Sequence, residues 1–153
     1  MANIVFNIAK GRVVEYYNRV KSNDPANSAL ILVPIETSGL EADAALIDVD
    51  TLTALVAGTT NEQTTMGRKT LTDAELSALP APDDTNDRYD ISLPTVTWTA
   101  ASGNAISKIA VCYDSDTTSG TDANIIPLTM FDFAQTPSGA DIQMTTGVFF
   151  RAS

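Results

Sequence analysis

The side chains of this sequence that could do chemistry are almost all carboxylates. The chain has 19 Asp and Glu residues, one cysteine and no histidine. Without histidine it has no Ser-His-Asp triad, no Cys-His pair and no histidine-bearing zinc site. The cysteine, Cys112, has no second cysteine for a disulfide, and its apolar neighbours are typical of a buried, inert thiol. We therefore expect no catalytic residues and no enzyme.

Phosphate-binding and cofactor-binding strings are also missing from the sequence. The eight glycines are scattered singly, so none of them belongs to a glycine-rich loop that would cradle a nucleotide. The sequence therefore predicts no cofactor.

The carboxylates that remain gather in three places along the chain. These groups are Asp48 and Asp50, then Asp83, Asp84 and Asp87, then Asp114, Asp116 and Asp122. The third group has alternating oxygen ligands, so its three aspartates are the candidates for a Ca²⁺ site. No EF-hand glycine or terminal glutamate follows in register. The alternative is a solvated turn in which each aspartate bonds its own backbone.

The overall charge bears on the kind of partner. The net charge is −10 and the sequence pI is about 4.1. Such a chain repels nucleic acid and anionic membranes, and its nine basic residues form no stripe. No apolar run approaches the roughly 20 residues that cross a bilayer. We expect no nucleic-acid or membrane partner, and synthesis in the cytoplasm.

Helical patterns are confined to the first half of the chain. They cover residues 10–20, 50–57 and 73–79. In the first segment, apolar side chains recur at helical spacing from Val13 to Val20. Asp48 or Asp50 is the expected cap of the second. Thr72 and Glu75 form a capping-box pattern before the third.

Strand patterns dominate the rest of the sequence. Residues 29–35 are a continuous apolar run, which indicates a strand buried on both faces. Residues 89–100 and 106–113 alternate and are predicted to pair as a hairpin. The alternation changes parity at Pro94, which indicates a bulge or kink in one long strand. Two more alternating segments follow, at residues 126–133 and 142–150.

These patterns predict one mainly-β domain over residues 1–153. The expected architecture is a β-sandwich or a jelly-roll-like fold with one to three short helices in the N-terminal half. Residues 1–8 are the candidate N-terminal arm, and residues 59–69 are the candidate mobile loop.

Several aromatic residues break the strand alternation and are candidate contacts with another subunit. In a regular strand, Phe131 and Phe133 would point to the face opposite that of Met130, and Phe149 would point to the face opposite that of Phe150. One face of each strand must therefore be covered by the N-terminal helices or by another chain. The full set of interface candidates is Ile4, Phe6, Phe131, Phe133, Phe149 and Phe150. The alternative is that most of these aromatics lie in the core.

Six segments of the chain resemble small virion proteins of tailed bacteriophages. They are FNIAKGRV at residues 6–13, NDPANSAL at 23–30, LTDAEL at 71–76, PDDTNDRYD at 82–90, VCYD at 111–114 and GVFFRAS at 147–153. The likeness spans most of the chain, but none of these strings has a known chemical mechanism.

The resemblance implies a non-enzymatic head decoration or cement protein. Such a protein would lie on the capsid exterior, bind the major capsid protein and form a dimer or trimer with itself. Residues 2–8, 59–69 and 149–153 would then be the contact segments. The alternative is a tail, neck or fibre-base component of the same virion.

Overall fold

The computed structural model describes residues 4–153, which form nine strands and four short α-helices. The helices are α1 (Val13–Lys21), α2 (Asp43–Leu46), α3 (Leu52–Leu55) and α4 (Asp73–Leu76). The strands are β1 (Ile4–Val5), β2 (Ala29–Glu36), β3 (Lys69–Leu71), β4 (Tyr89–Leu93), β5 (Val96–Trp98), β6 (Ile106–Asp114), β7 (Ile126–Gln135), β8 (Ile142–Met144) and β9 (Gly147–Ala152). A 3-10 turn at Asn7–Ala9 precedes α1. The mainly-β class is as predicted.

A five-stranded sheet forms the middle of the molecule. Its strand order is β1-β7-β6-β2-β3, and every pair is antiparallel. Seven of the eight residues of β2 are buried, which confirms the predicted strand buried on both faces. Pro34 is tolerated in β2 because β3 pairs only with Leu30–Leu32. The carbonyl of Pro34 instead accepts a hydrogen bond from Gln63 of a neighbouring loop.

The remaining four strands form a kinked two-stranded ribbon. β4 pairs with β9 and β5 pairs with β8, so the predicted hairpin between residues 89–100 and 106–113 is wrong. The partner of β6 is instead β2 on one side and β7 on the other. Local alternation located β4 to β9, although β3 was not predicted, but it does not specify which strand lies opposite, because every alternating segment is equally able to pair.

The kink at Pro94 was predicted from parity and is present. Leu93 and Val96 are both buried although they are three residues apart, and their partners are Gly147 and Met144. On both strands of the ribbon, the inward-facing positions therefore switch between odd and even numbers at the kink, and the apolar face stays inside. The side chain of Thr146 bonds the carbonyl of Leu93 at 2.8 Å.

The central sheet separates two apolar clusters. Leu30 and Leu32 of β2 face α1 and the ribbon. Ile31 and Val33 face the opposite way, towards α2, α3 and the start of the chain. Alternate residues of a strand point to opposite faces, so one sheet supports both layers. The ribbon lies over the first face as the second layer of a sandwich, and the short helices cover the other face.

The helices differ from the prediction in number and in one cap. Four α-helices are present where one to three were expected, and the additional helix is α2. Thr51, rather than Asp48 or Asp50, caps α3, with its hydroxyl accepting from the amide of Ala54 at 3.1 Å. The capping box of Thr72 and Glu75 before α4 is confirmed. In the described part of the chain, no helix is long and apolar enough to cross a membrane.

The two segments proposed as an arm and a loop are packed against the sheet. Residues 1–3 of the arm lie outside the described residues, but β1 pairs with Thr129 and Met130 of β7. In the 59–69 segment, Thr60 and Gln63 are fully buried. The side-chain amide of Gln63 donates to the carbonyls of Ser102 and Asn104, both at 3.1 Å. The 59–69 segment is therefore tied to the turn before β6.

Candidate functional site

The six candidate interface residues divide into four buried and two half-buried side chains. Ile4 and Phe6 lie in the cluster on the α2–α3 side of the sheet. Phe131 and Phe149 lie in the cluster under the ribbon. Phe133 and Phe150 are half-buried at the edge of that same cluster, and the Phe133 ring lies 6.2 Å from Trp98. The chain itself therefore covers the faces for which we expected either the helices or a partner.

A β-bulge explains why two adjacent phenylalanines face the same cluster. Ile91 pairs with Phe150 and Ser92 pairs with Val148, so Phe149 is the extra residue of β9. The bulge turns the Phe149 ring inward, where its centroid lies 6.3 Å from that of Tyr17. Simple alternation along β9 had placed Phe149 and Phe150 on opposite faces, and one inserted residue removes that conflict.

An apolar recess opens at the kink of the ribbon. We call it the kink recess, and its lining residues are Leu93, Phe131, Met144, Thr145, Gly147, Val148 and Phe149. Its volume is about 50 Å³. Small-molecule sites are typically about 300–1,000 Å³. The kink recess is therefore large enough for part of an apolar side chain and too small for a cofactor.

The kink recess exists because both strands of the ribbon are interrupted at one level. Pro94 and Thr95 are unpaired on one strand, and Thr145 and Thr146 are unpaired on the other. Gly147 follows directly and contributes no side chain to fill the gap. The change in alternation at Pro94 indicated an interruption in one strand. Local patterns could not predict that this interruption lies opposite a second one fifty residues later.

The three aspartates proposed for Ca²⁺ take part in other contacts. Asp114 accepts from the backbone amide of Asp116 at 3.0 Å, as an aspartate does in a self-bonded turn. Asp116 accepts from the amide and the hydroxyl of Thr118. Those bonds lower the pKa of Asp116, with the Thr118 hydroxyl as the largest cause. Within residues 4–153 no group of three or more His, Cys, Asp or Glu side chains is placed to hold a metal ion.

Asp122 takes part in an ion-pair network with Arg68. Arg68 donates to both oxygens of Asp122 at 2.7 and 2.8 Å, and to both oxygens of Glu62 at 2.7 and 2.6 Å. The Arg68 side-chain bond lowers the pKa of Asp122 and outweighs partial burial, which acts in the opposite direction. This network, here called the Arg68 clamp, joins the 59–69 segment to the loop before β7.

Cys112 and Asp83 are also held within the fold. Cys112 is fully buried in β6, and burial raises the pKa of its thiol well above the ordinary range. A thiol in that state is a poor nucleophile. The Asp83 carboxylate stabilises the turn in which it lies, because it accepts a hydrogen bond from the side chain of Asn86 at 2.6 Å. That bond is the largest cause of the lowered pKa of Asp83.

Comparison with known protein families, curated proteins and solved structures found no match to this chain. One part of the described surface that offers an open apolar contact is the kink recess, which the half-buried side chain of Val148 on β9 helps to line.

Proposed function

We propose that this chain is a non-enzymatic structural protein of a virion that binds and stabilises the assembled capsid of a tailed bacteriophage. It would act on the capsid exterior as a decoration or cement protein, with the major capsid protein and further copies of itself as partners. The phage setting rests on the resemblance of the six sequence segments named above.

The observation that supports a protein-binding role is the kink recess. It is open, apolar and of side-chain size, and such recesses receive the apolar anchor residues of a partner protein. Its walls come from β4, β7, β8 and β9, so the position of the recess is set by the core of the domain rather than by a free loop. A rigid recess suits a protein that must repeat one contact many times on a lattice.

The charge of the chain also suits this role. A net charge of −10 keeps copies apart in solution before they meet the shell. Each contact with the shell can then be weak, because many copies bind one rigid lattice.

The second candidate function is a tail, neck or fibre-base component of the same virion. The same kink recess would then contact a ring or tube subunit. The two candidates differ in copy number, because a decoration protein follows the capsid lattice and a neck or tail component follows a smaller ring or a stack.

The direct test is cosedimentation of the purified protein with mature and with immature shells of the phage that encodes it. We expect saturable binding to one shell state at a simple ratio to the capsid subunit. Absence of binding to either shell would contradict the decoration role, and the copy number of the protein in whole virions and in isolated tails would then test the second candidate.

A further inference from the structure

One of the eight glycines of this chain has no reason within the fold to be glycine. The other seven either adopt a left-handed backbone conformation or would bring an added methyl group within 3.0 Å of another residue: Gly11, Gly39, Gly58, Gly67, Gly103, Gly120 and Gly139. Gly147 lies outside the left-handed region. Apart from its two chain neighbours, the atom nearest to a methyl group added there would be the carbonyl oxygen of Thr145, at 4.0 Å. The fold therefore has room for a side chain at position 147.

Glycine is also an unfavourable residue for this strand position. It loses more backbone freedom on folding than any other residue, and it contributes no side chain to the core. Gly147 begins β9 and pairs with Leu93, whose side chain is buried. Residues directly opposite each other on paired strands share a face, so a side chain at position 147 would point to the same inward side as Leu93. A strand glycine without a reason inside its own chain often marks a close approach by a ligand or another backbone.

The kink recess lies where a side chain at position 147 would point. Gly147 and Leu93 both line it, and its volume of about 50 Å³ suits the end of one aliphatic side chain. At the other inward-facing levels of the ribbon both paired residues have apolar side chains: Tyr89 with Ala152, Ile91 with Phe150, Val96 with Met144, and Trp98 with Ile142. The recess therefore corresponds to one apolar side chain that the ribbon lacks.

The described part of the chain offers no protruding aliphatic side chain that could fill this recess in a second copy. Among residues 4–153, every Val, Leu, Ile, Met and Phe side chain is buried or half-buried. A half-buried side chain would have to leave the core of its own molecule to reach into a recess of a neighbouring one. This favours a different protein as the source of the side chain.

We propose that Gly147 keeps the kink recess open for one aliphatic side chain of a different protein, which takes the place of the side chain that the ribbon lacks. The main chain of that protein can approach β9 closely at Gly147, because glycine presents no side chain there. This inference specifies the contact within the proposed function, and it rests on that function for the identity of the partner, the major capsid protein.

Substitutions that add a side chain at position 147 test this inference. Gly147→Val should weaken binding to shells by about tenfold or more, and Gly147→Ala by a smaller factor, because each fills part of the recess. Neither should lower the thermal midpoint, and a rise of about 1–4 °C is expected because glycine is replaced in a strand. Ala134→Val is the matched control, because Ala134 is an exposed strand residue of β7 outside the recess lining, and it should bind shells as the wild-type chain does.

Xenon probes the recess without any shell, because it enters small apolar cavities. Dissolved xenon should shift the amide NMR signals of Val148 and Phe149 in the wild-type chain and in Ala134→Val. It should leave both signals unchanged in Gly147→Val, whose added side chain occupies the same space.

Four results would overturn the inference. They are a lowered thermal midpoint of Gly147→Ala, wild-type affinity of Gly147→Val for shells, amide signals of the wild-type recess that xenon does not shift, and self-association in analytical ultracentrifugation that Gly147→Val abolishes. The last result would identify a second copy as the occupant. Failure of the wild-type chain to bind shells or tails would contradict the proposed function, whereas the xenon and stability measurements would still decide whether Gly147 keeps the recess open.

Discussion

Two buried tyrosines differ in whether their hydroxyl groups have a partner. Tyr17 is fully buried, and its hydroxyl has no hydrogen-bond partner among the described residues. Tyr89 packs edge-on to Tyr17 with ring centroids 6.2 Å apart, and its hydroxyl donates to Asn18 at 3.1 Å. A buried polar group without a partner is unfavourable, while a satisfied one contributes modestly to stability.

The variant Tyr17→Phe should therefore leave the free energy of unfolding unchanged or raise it by about 1 kcal/mol. Tyr89→Phe is the matched control, and it should lower the same quantity by about 0.5–1.5 kcal/mol because Asn18 loses its donor. Urea unfolding at neutral pH measures both. A larger loss for Tyr17→Phe than for Tyr89→Phe would show that the Tyr17 hydroxyl is bonded in the folded chain.

The Arg68 clamp makes stability depend on pH. Arg68 lowers the pKa of Asp122 in the folded chain below the value of about 4 that an unfolded aspartate has. The clamp therefore stabilises the fold fully above about pH 4, and this contribution is lost as the pH falls through the lowered pKa. Asp122 is partly solvated, so solvent screening limits its contribution to about 1 kcal/mol.

We expect Asp122→Asn to lower stability at neutral pH and to lower it progressively less as the pH falls below about 4. The difference between wild-type and variant unfolding free energies should therefore be constant above that pH and shrink below it. Urea titrations at several pH values measure this difference. A difference that is constant with pH would mean that the effect of the substitution is steric and that the ion pair contributes nothing.

For the helices and strands, local sequence patterns predicted the type of element better than they predicted which strands pair. The helical face from Val13 to Val20, the buried strand β2 and the capping box before α4 were all predictable, because each depends on residues close in sequence. The pairing of β4 with β9 joins segments about sixty residues apart, and alternation carries no information on that choice. The predicted hairpin failed for this reason.

The kink recess was only half predictable from the sequence. Pro94 and the parity switch indicated an interruption in one strand. The recess also requires that Thr145 and Thr146 interrupt the facing strand at the same level, which only the register of the ribbon specifies. Likewise, the bulge at Phe149 depends on its pairing with β4 and has no glycine or proline to mark it.

Two glycines with nearly the same backbone angle give a test of the turn before α2. Gly39 has φ +80° and Gly11 has φ +79°. A methyl group at Gly39 would lie 2.2 Å from the backbone carbonyl oxygen of Thr59, whereas nothing lies within 4 Å at Gly11. Both alanine variants lose the left-handed freedom of glycine, at about 1 kcal/mol, and only the Gly39 variant also clashes.

Gly39→Ala should therefore reduce the free energy of unfolding by clearly more than Gly11→Ala does. Because the obstacle is backbone, the 59–69 segment must shift to accommodate the methyl group, and the extra loss should be about 1–3 kcal/mol. Chemical denaturation of the two variants measures this loss. Equal losses would show that the segment moves away from Gly39 at little cost and is not fixed to the sheet.

For the whole molecule, the proposed function predicts that a substitution at the kink recess weakens shell binding without lowering the stability of the fold. Val148 is half-buried on the rim of the kink recess, so Val148→Glu should weaken shell binding at least tenfold while the thermal transition stays close to that of the wild-type chain. Ile126→Glu is the control, because Ile126 is also a half-buried strand residue but lies about 17 Å from Phe131 along β7.

Cosedimentation with shells, read as the fraction bound against protein concentration, compares the two variants. Equal binding by Val148→Glu and Ile126→Glu would exclude the kink recess as the contact. Equal loss of binding with a lowered unfolding temperature in both would mean that the substitutions act through the core.

A structural component of a virion is present in purified particles at a defined copy number, and that number is the most direct test of the proposed role. Quantitative mass spectrometry of intact virions gives the molar ratio of this chain to the major capsid subunit. The decoration role predicts a simple ratio set by the capsid lattice, retained when heads are separated from tails. Absence of the chain from purified virions would contradict the whole account, and a few copies that remain with the tails would contradict the decoration role.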